Sequence, residues 1–259
     1  MRLQHRTALV TGAGSGIGRA VALEFARQGA SVGIADLDAG AAATVAEQIL
    51  AQGGEALPLP MDVTDEAAVD AGTEALVDRY GGLDVLFSNA GVQHIQAVAE
   101  LSLADWRRVT GVHLDGAFLC TRAALRYMRP AQSGCLLYMG SVHSKEASPL
   151  KAPYVAAKHG ILGLCRAVAK EEAARGIRSH VICPGFVLTP LAERQIPEQA
   201  RDLGISEDEV VRKVMLKNTV DEAFTTLEEV TEVATWLASF DSLALTGQSI
   251  TVSHGWHMA

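Results

Sequence analysis

A chain of 259 residues, 49% of them apolar, is long enough to bury a full core, and its alternating strand-like and helix-like stretches favour one α/β domain over residues 1–259. The formal net charge of −8 argues against general nucleic-acid binding and makes any cluster of positive charge more informative. No apolar run reaches the length of a membrane span, no long apolar stretch precedes the first strand, and the four cysteines form no CxxC pair, so the chain reads as cytoplasmic with buried free thiols.

Residues 7–11 (TALVT) predict a short buried parallel strand. Gly12-Ala13-Gly14-Ser15-Gly16-Ile17-Gly18 follows at once, and residues 19–28 read as a helix packing through Ala20, Val21, Leu23 and Phe25. Strand, glycine-rich turn and helix are the context of a dinucleotide site. The glycines let backbone approach a pyrophosphate, and the helix start offers free N–H groups to its charge. Residues 30–35 predict the second strand, ending at Asp36. A carboxylate there accepts from both hydroxyls of an adenosine ribose and repels a 2′-phosphate, which predicts NAD over NADP. The plain alternative is an acid that caps the next helix.

Residues 39–52 form an alanine-rich helical pattern, and residues 55–60 a third strand leading to Asp62-Val63. Asp62 either touches an adenine edge or is a turn residue. Thr64 is expected to begin a helix that runs to Tyr80. Residues 84–88 (DVLFS) are the fourth strand, followed by the small-residue turn Asn89-Ala90-Gly91, with Gln93 just beyond it. Residues 102–129 predict a long helix bent near Gly111 and ended by Pro130. Residues 134–140 are the fifth strand, which delivers Ser141, and Pro153 suits the first turn of the next helix. Residues 177–183 are the sixth strand, and Pro184 is not expected to continue it. Residues 188–224 are polar and partly helical, a candidate lid. A capping box at Thr226 and Glu229 precedes Val230, Val233, Trp236 and Leu237, and residues 248–252 are the last strand.

Tyr154 and Lys158 lie four apart, on one face of a predicted helix. Bringing a phenol from its usual pKa near 10 toward 7 takes roughly 4 kcal/mol. One cation about 4 Å away supplies that order of energy at an effective dielectric near 20. Lys158 is therefore expected to lower the Tyr154 pKa, alone or with a cationic cofactor ring, and Ser141 to hold a substrate oxygen. An ordinary exposed Tyr/Lys face would show the same spacing, so context decides.

In an open α/β sheet, ligands bind outside the carboxyl ends of the strands. Gly12, Asp36, Asn89, Ser141 and Pro184 fall there by position, as do Gln93, His143 and Lys151. A cation, an imidazole and an amide at one rim suit a small carboxylate, although each alone could be a solvated loop side chain. His254 and His257 form an HxxH without a third nearby ligand, so a tail or interface role is expected and no metal site.

Taken together, these residues resemble the short-chain dehydrogenase/reductase family along nearly the full chain. The matching pieces are Thr11-Gly12-x-x-x-Gly16-Ile17-Gly18, Asp62-Val63, Asn89-Ala90-Gly91, Ser141, Tyr154-x-x-x-Lys158 and Pro184-Gly185. The resemblance implies a Rossmann-type, doubly wound, seven-stranded parallel sheet of order 3-2-1-4-5-6-7 with helices on both faces. It implies hydride exchange between NAD and a carbonyl/alcohol pair, with Tyr154 as acid/base and Lys158 holding the nicotinamide ribose. Ser15 falls among the implied cofactor contacts, and Thr189 matches a position that touches the nicotinamide carboxamide. Where the family usually has Asn in the segment VNLxGxF, this chain has His113. The implied role there is to support a water-linked proton path to Lys158, and imidazole can both donate and accept.

Within the family, the likeness is strongest to bacterial members that oxidise D-3-hydroxybutyrate. Residues 143–160, residues 191–196 and the ending ALTGQSITVSHGW carry it. It implies that Gln93, His143, Lys151 and Gln195 hold the substrate carboxylate and that Trp256 meets the substrate methyl. Phe186 stands where a second Trp is usual. A homotetramer is implied, as is common in the family. Two rivals stay open: another member acting on 3-oxoacyl thioesters, sugars or steroids, and an NAD-sensing protein without catalysis. Lys151 with His143 speaks against a neutral substrate, and the intact Ser141, Tyr154 and Lys158 speak against the second rival.

Overall fold

The computed structural model describes residues 1–258; the side chains of residues 190, 191, 194 and 202 lie outside that description, including two from the 191–196 likeness. Strands β1 (Thr7–Thr11), β5 (Gly134–Met139) and β6 (Ile177–Pro184) are buried at every position, as strands covered on both faces must be. They join β2 (Ser31–Asp36), β3 (Glu55–Pro60), β4 (Val85–Ser88) and β7 (Ser249–Val252) in one parallel sheet of order β3-β2-β1-β4-β5-β6-β7. This is the expected order. It reverses direction between β1 and β4, where the crevice for a ligand opens.

One face of the sheet is covered by α1 (Gly16–Arg27), α2 (Ala39–Ala51) and α9 (Leu227–Ser239), which bring Phe25, Ile49 and Leu237 over Val10, Ile34 and Phe87. The other face is covered by α3 (Glu66–Tyr80), α5 (Gly116–Ala131) and α6 (Ala152–Glu172), which bring Leu76, Met128 and Ile161 over Leu9, Leu86 and Leu136. The four cysteines are free and buried. Among the described residues no helix is long and apolar enough to cross a membrane.

Several element ends differ from expectation. Helix α3 starts at Glu66 rather than Thr64, because the Asp65 carboxylate accepts from the Ala67 and Ala68 N–H groups and caps it there. The expected bend near Gly111 is a π turn over Gly111–Asp115, set between α4 (Leu103–Thr110) and α5. Pro130 does not end α5. It sits inside the last turn, where its missing N–H costs one hydrogen bond, and the helix stops at Gln132 with φ of 52°. Pro184 is the last residue of β6 and pairs with Val252; the Gly185 N–H then completes the ladder by donating to the Val252 carbonyl at 2.9 Å.

Trp236 is 38% exposed and packs on Phe240, because it lies off the buried Val230–Ala234–Leu237 stripe of α9. The polar stretch after β6 is more ordered than its composition suggests. It forms α7 (Pro190–Leu203), α8 (Glu207–Val210) and a π turn, around a small core of Val210, Met215 and Leu216.

Candidate active site

The strand register sets the first half of the site. Thr11 at the end of β1 pairs with Ala35, and Val10 with Phe87, so Asp36 and Asn89 emerge beside the glycine-rich turn. The Thr11 hydroxyl accepts from the N–H groups of Asn89 (2.9 Å) and Ala90 (3.1 Å), and the Asn89 amide donates to the Thr11 carbonyl at 3.0 Å. These bonds tie the two strand ends together. Gly12 has φ of 62°, and a side chain at Gly18 would overlap the Gly12 carbonyl.

Helix α1 begins at Gly16, within the turn and earlier than expected. Ser15 occupies its N-cap without a side-chain capping bond, and its first turn holds no acid. Its leading N–H groups therefore face no competing carboxylate of their own helix. The Asp36 carboxylate accepts from the Gly14 N–H at 2.8 Å and the Asp38 N–H at 3.0 Å. Capping of α2 falls to Asp38, which removes the plain alternative for Asp36. A helix start without a cap, beside a turn too tight for side chains and flanked by a carboxylate, fits the pyrophosphate and ribose of a dinucleotide.

Three expected cofactor residues are engaged within the fold. One oxygen of Asp62 accepts from both the N–H and the hydroxyl of Thr64, at 2.8 and 2.7 Å, which is the turn role. Val63 is buried against Gly116. Gly91 leaves the space that the His113 ring fills.

The second half of the site gathers from distant segments. Ser141 follows β5, and Tyr154 and Lys158 project from α6. A cavity of about 150 Å³ is lined by Ser141 and Tyr154 together with Gln93, His143, Lys151 and Gln195. Phe186 and Trp256, stacked on each other, also line it, as do Ile17, Pro184, Gly185 and Thr189. All the residues expected to meet a substrate are thus brought together. Thr189 also caps α7 by accepting from the Ala192 N–H, and a Cβ built at Gly16 would sit 3.7 Å from it.

Burial controls the electrostatics here. It lowers the Lys151 pKa, and Lys151 is 8% exposed with its ammonium 5.1 Å from the centre of the Phe186 ring. Burial first, and the charge of Lys151 second, lower the His143 pKa to about 4, so at neutral pH the imidazole is uncharged beside the ammonium. Burial also raises the Tyr154 pKa, with the Ser141 hydroxyl acting the other way. The expected lowering of Tyr154 by Lys158 is not found. Lys158 lies on the same face, its ammonium 5.4 Å from the Tyr154 ring centre, but it donates to the Met139 carbonyl at 2.6 Å. Burial brings its own pKa down to about 7. At neutral pH Lys158 is thus no longer a full charge, and desolvation of the phenol wins.

The comparisons agree with this geometry. The short-chain dehydrogenase profile described as Enoyl-(Acyl carrier protein) reductase matches residues 12–257. The chain belongs to the short-chain dehydrogenase/reductase family. It is 39% identical over 253 residues to a D-beta-hydroxybutyrate dehydrogenase of Rhizobium meliloti (strain 1021), covering 97% of this chain and 98% of that one. It is 34% identical over 255 residues to the 3-oxoacyl-[acyl-carrier-protein] reductase FabG of Thermotoga maritima, covering 98% and 99%. A crystal structure of a protein from Sinorhizobium meliloti 1021 superimposes with a TM-score of 0.90 at 33% identity, covering 98% and 97%. The family uses nicotinamide cofactors, which the glycine-rich turn fits.

The departure from the family pattern at His113 has a defined environment. The π turn carries its ring edge-on against Tyr154, with centroids 5.2 Å apart at 88°. Burial and the charge of Lys158 lower its pKa to about 3, so the ring is neutral. Its Nε2 lies 2.8 Å from the Val92 carbonyl and 3.2 Å from the Val92 backbone nitrogen; in the tautomer that donates across the shorter contact, Nδ1 is left a buried acceptor without a partner among the described residues.

The carbonyls of Met139 and Val92 belong to the site yet carry no side-chain signature. The tail histidines bond within the chain: His254 lies between Asp221 (2.7 Å) and Glu229 (3.2 Å), and His257 on Glu146 at 2.7 Å.

Proposed function

We propose that the protein interconverts D-3-hydroxybutyrate and acetoacetate with NAD. One observation carries the reading: Lys151, a buried ammonium, shares a cavity of about 150 Å³ with Ser141 and Tyr154. Burial lowers its pKa, and among the described residues no carboxylate acts against that shift. A desolvated cation of this kind favours an anionic ligand, and the volume suits a short one. The relatives named D-beta-hydroxybutyrate dehydrogenase support the same substrate.

In this reading Lys151 takes the substrate carboxylate, with Gln93, His143 and Gln195 as neutral partners. Ser141 holds the reacting oxygen. Tyr154 takes the alcohol proton during oxidation and returns it during reduction, and the positive charge that an oxidised nicotinamide ring would bring offsets the desolvation that raises its pKa. Lys158, with its pKa near neutrality, passes that proton onward, and the acceptor nitrogen of His113 supports the path. A nicotinamide held by the glycine-rich turn, Asn89, Pro184-Gly185 and Thr189 supplies the hydride acceptor. Asp36 selects NAD, since its carboxylate disfavours a 2′-phosphate. Phe186 and Trp256, stacked 5.3 Å apart, enclose the methyl end. Helix α7 brings Ala192 and Gln195 to the cavity, so residues 188–224 act as its lid.

The rival substrate, a 3-oxoacyl thioester, has support in the FabG relative but makes no use of Lys151. A screen of short 3-hydroxy acids of both hands and of short 3-oxoacyl thioesters, each with NAD and NADP, tests the proposal. D-3-hydroxybutyrate with NAD should give the highest kcat/KM. A thioester preferred over every free acid would overturn it.

A further inference from the structure

Glu146 has no part in the chemistry above. It lies between the short turn Val142–Ser144 and α6, anchored by its own N–H to the Val142 carbonyl at 3.0 Å. Both carboxylate oxygens are held by the C-terminal segment. One accepts from the Trp256 indole N–H at 3.1 Å, and the other lies 2.7 Å from His257 Nδ1. The segment is braced from within, since the Trp256 N–H donates to the Ser253 carbonyl at 3.0 Å and the His257 N–H to the Ser253 hydroxyl at 3.3 Å.

The indole that Glu146 grips is a wall of the cavity. It stacks on Phe186 at 5.3 Å and 28°, and it meets His143 edge-on at 5.7 Å and 89°. His143 in turn stands edge-on to Tyr154 at 6.2 Å and 84°. An indole N–H is a donor only and needs one acceptor in one direction. Glu146 supplies it, so the bond fixes the plane of the ring and with it the depth of the apolar end. Glu146 is also close enough to His143 to favour its protonated form. A bare carboxylate here would repel an anionic substrate, and the indole and His257 occupy both of its oxygens.

We infer that Glu146 is a positioning residue that holds Trp256 as the end wall of the cavity and so sets the length of carbon chain the site accepts. The inference rests on the reading of this cavity as a hydroxy-acid site.

The test uses the full chain with Trp106→Phe and Trp236→Phe, both surface residues, which leaves Trp256 as the single tryptophan of the three. Glu146→Ala and Glu146→Gln are compared in that background. Acrylamide quenching of Trp256 is measured beside kcat and KM for 3-oxo acids of four, five and six carbons. Glu146→Ala should make Trp256 more quenchable and raise KM for the four-carbon acid about tenfold, with kcat changed less than about threefold. It should also flatten the preference among chain lengths. Glu146→Gln keeps an oxygen for the indole and should restore most of each property. Unchanged quenching and unchanged chain-length preference in Glu146→Ala would overturn the positioning role. A wild-type protein silent toward every 3-oxo acid would overturn the reading beneath it, and quenching would still decide whether Glu146 holds the ring.

Discussion

The two halves of the site are built from different material. The glycine-rich half is backbone: Gly12 in a left-handed conformation, Gly18 with no room for a side chain, and the uncapped start of α1. Its parts come from adjacent stretches of chain. The other half is side chains from five segments, with Gln93 and Trp256 at its sequence extremes. Backbone presents the same N–H groups whatever the substrate, which suits a common cofactor. Side chains on separate loops can be changed one at a time, which suits a variable substrate. Burial matters differently in the two halves. It shapes space in the first, and in the second it also sets charge, leaving Lys151 beside a neutral His143.

The largest effect should come where the halves meet. Tyr154→Phe should cut turnover by about 10²- to 10⁴-fold while NAD binding, followed by fluorescence titration, stays intact. Undiminished turnover would remove Tyr154 from the chemistry. A smaller and one-sided effect is expected from Lys151→Ala. KM for the acid should rise about 10- to 100-fold, the cost of one charge-assisted bond, while cofactor affinity stays level. Equal damage to neutral alcohols would show that Lys151 does not serve a carboxylate. The smallest effect is expected at the other half. Asp36→Ala should narrow the preference for NAD over NADP by about tenfold, read as the ratio of kcat/KM values, without altering KM for the acid. A preference that does not move would clear Asp36 of the role.

Much of this contrast was legible in the sequence. The strands, the helices and the rim positions followed from strand runs alternating with helical patterns, whereas the sheet order came from the family resemblance and not from periodicity. The glycine-rich half was read from spacing alone, since its parts are neighbours in the chain. The element ends at Thr64, Pro130 and Pro184 were misread because local capping and the last turn of a helix tolerate what the interior does not.

The ionisation of Tyr154 was misjudged for another reason. Spacing shows that Lys158 is near, but not that both groups are dry and that the ammonium faces the Met139 carbonyl. Glu146 was invisible, because a bond to Trp256 across 110 residues leaves no periodic trace.

The most direct measurement is a crystal structure with NAD and acetoacetate bound. The keto oxygen should lie within hydrogen-bond reach of the Tyr154 and Ser141 hydroxyls, with the carboxylate on Lys151. A keto group turned away from Tyr154, or a carboxylate left facing solvent, would contradict the account.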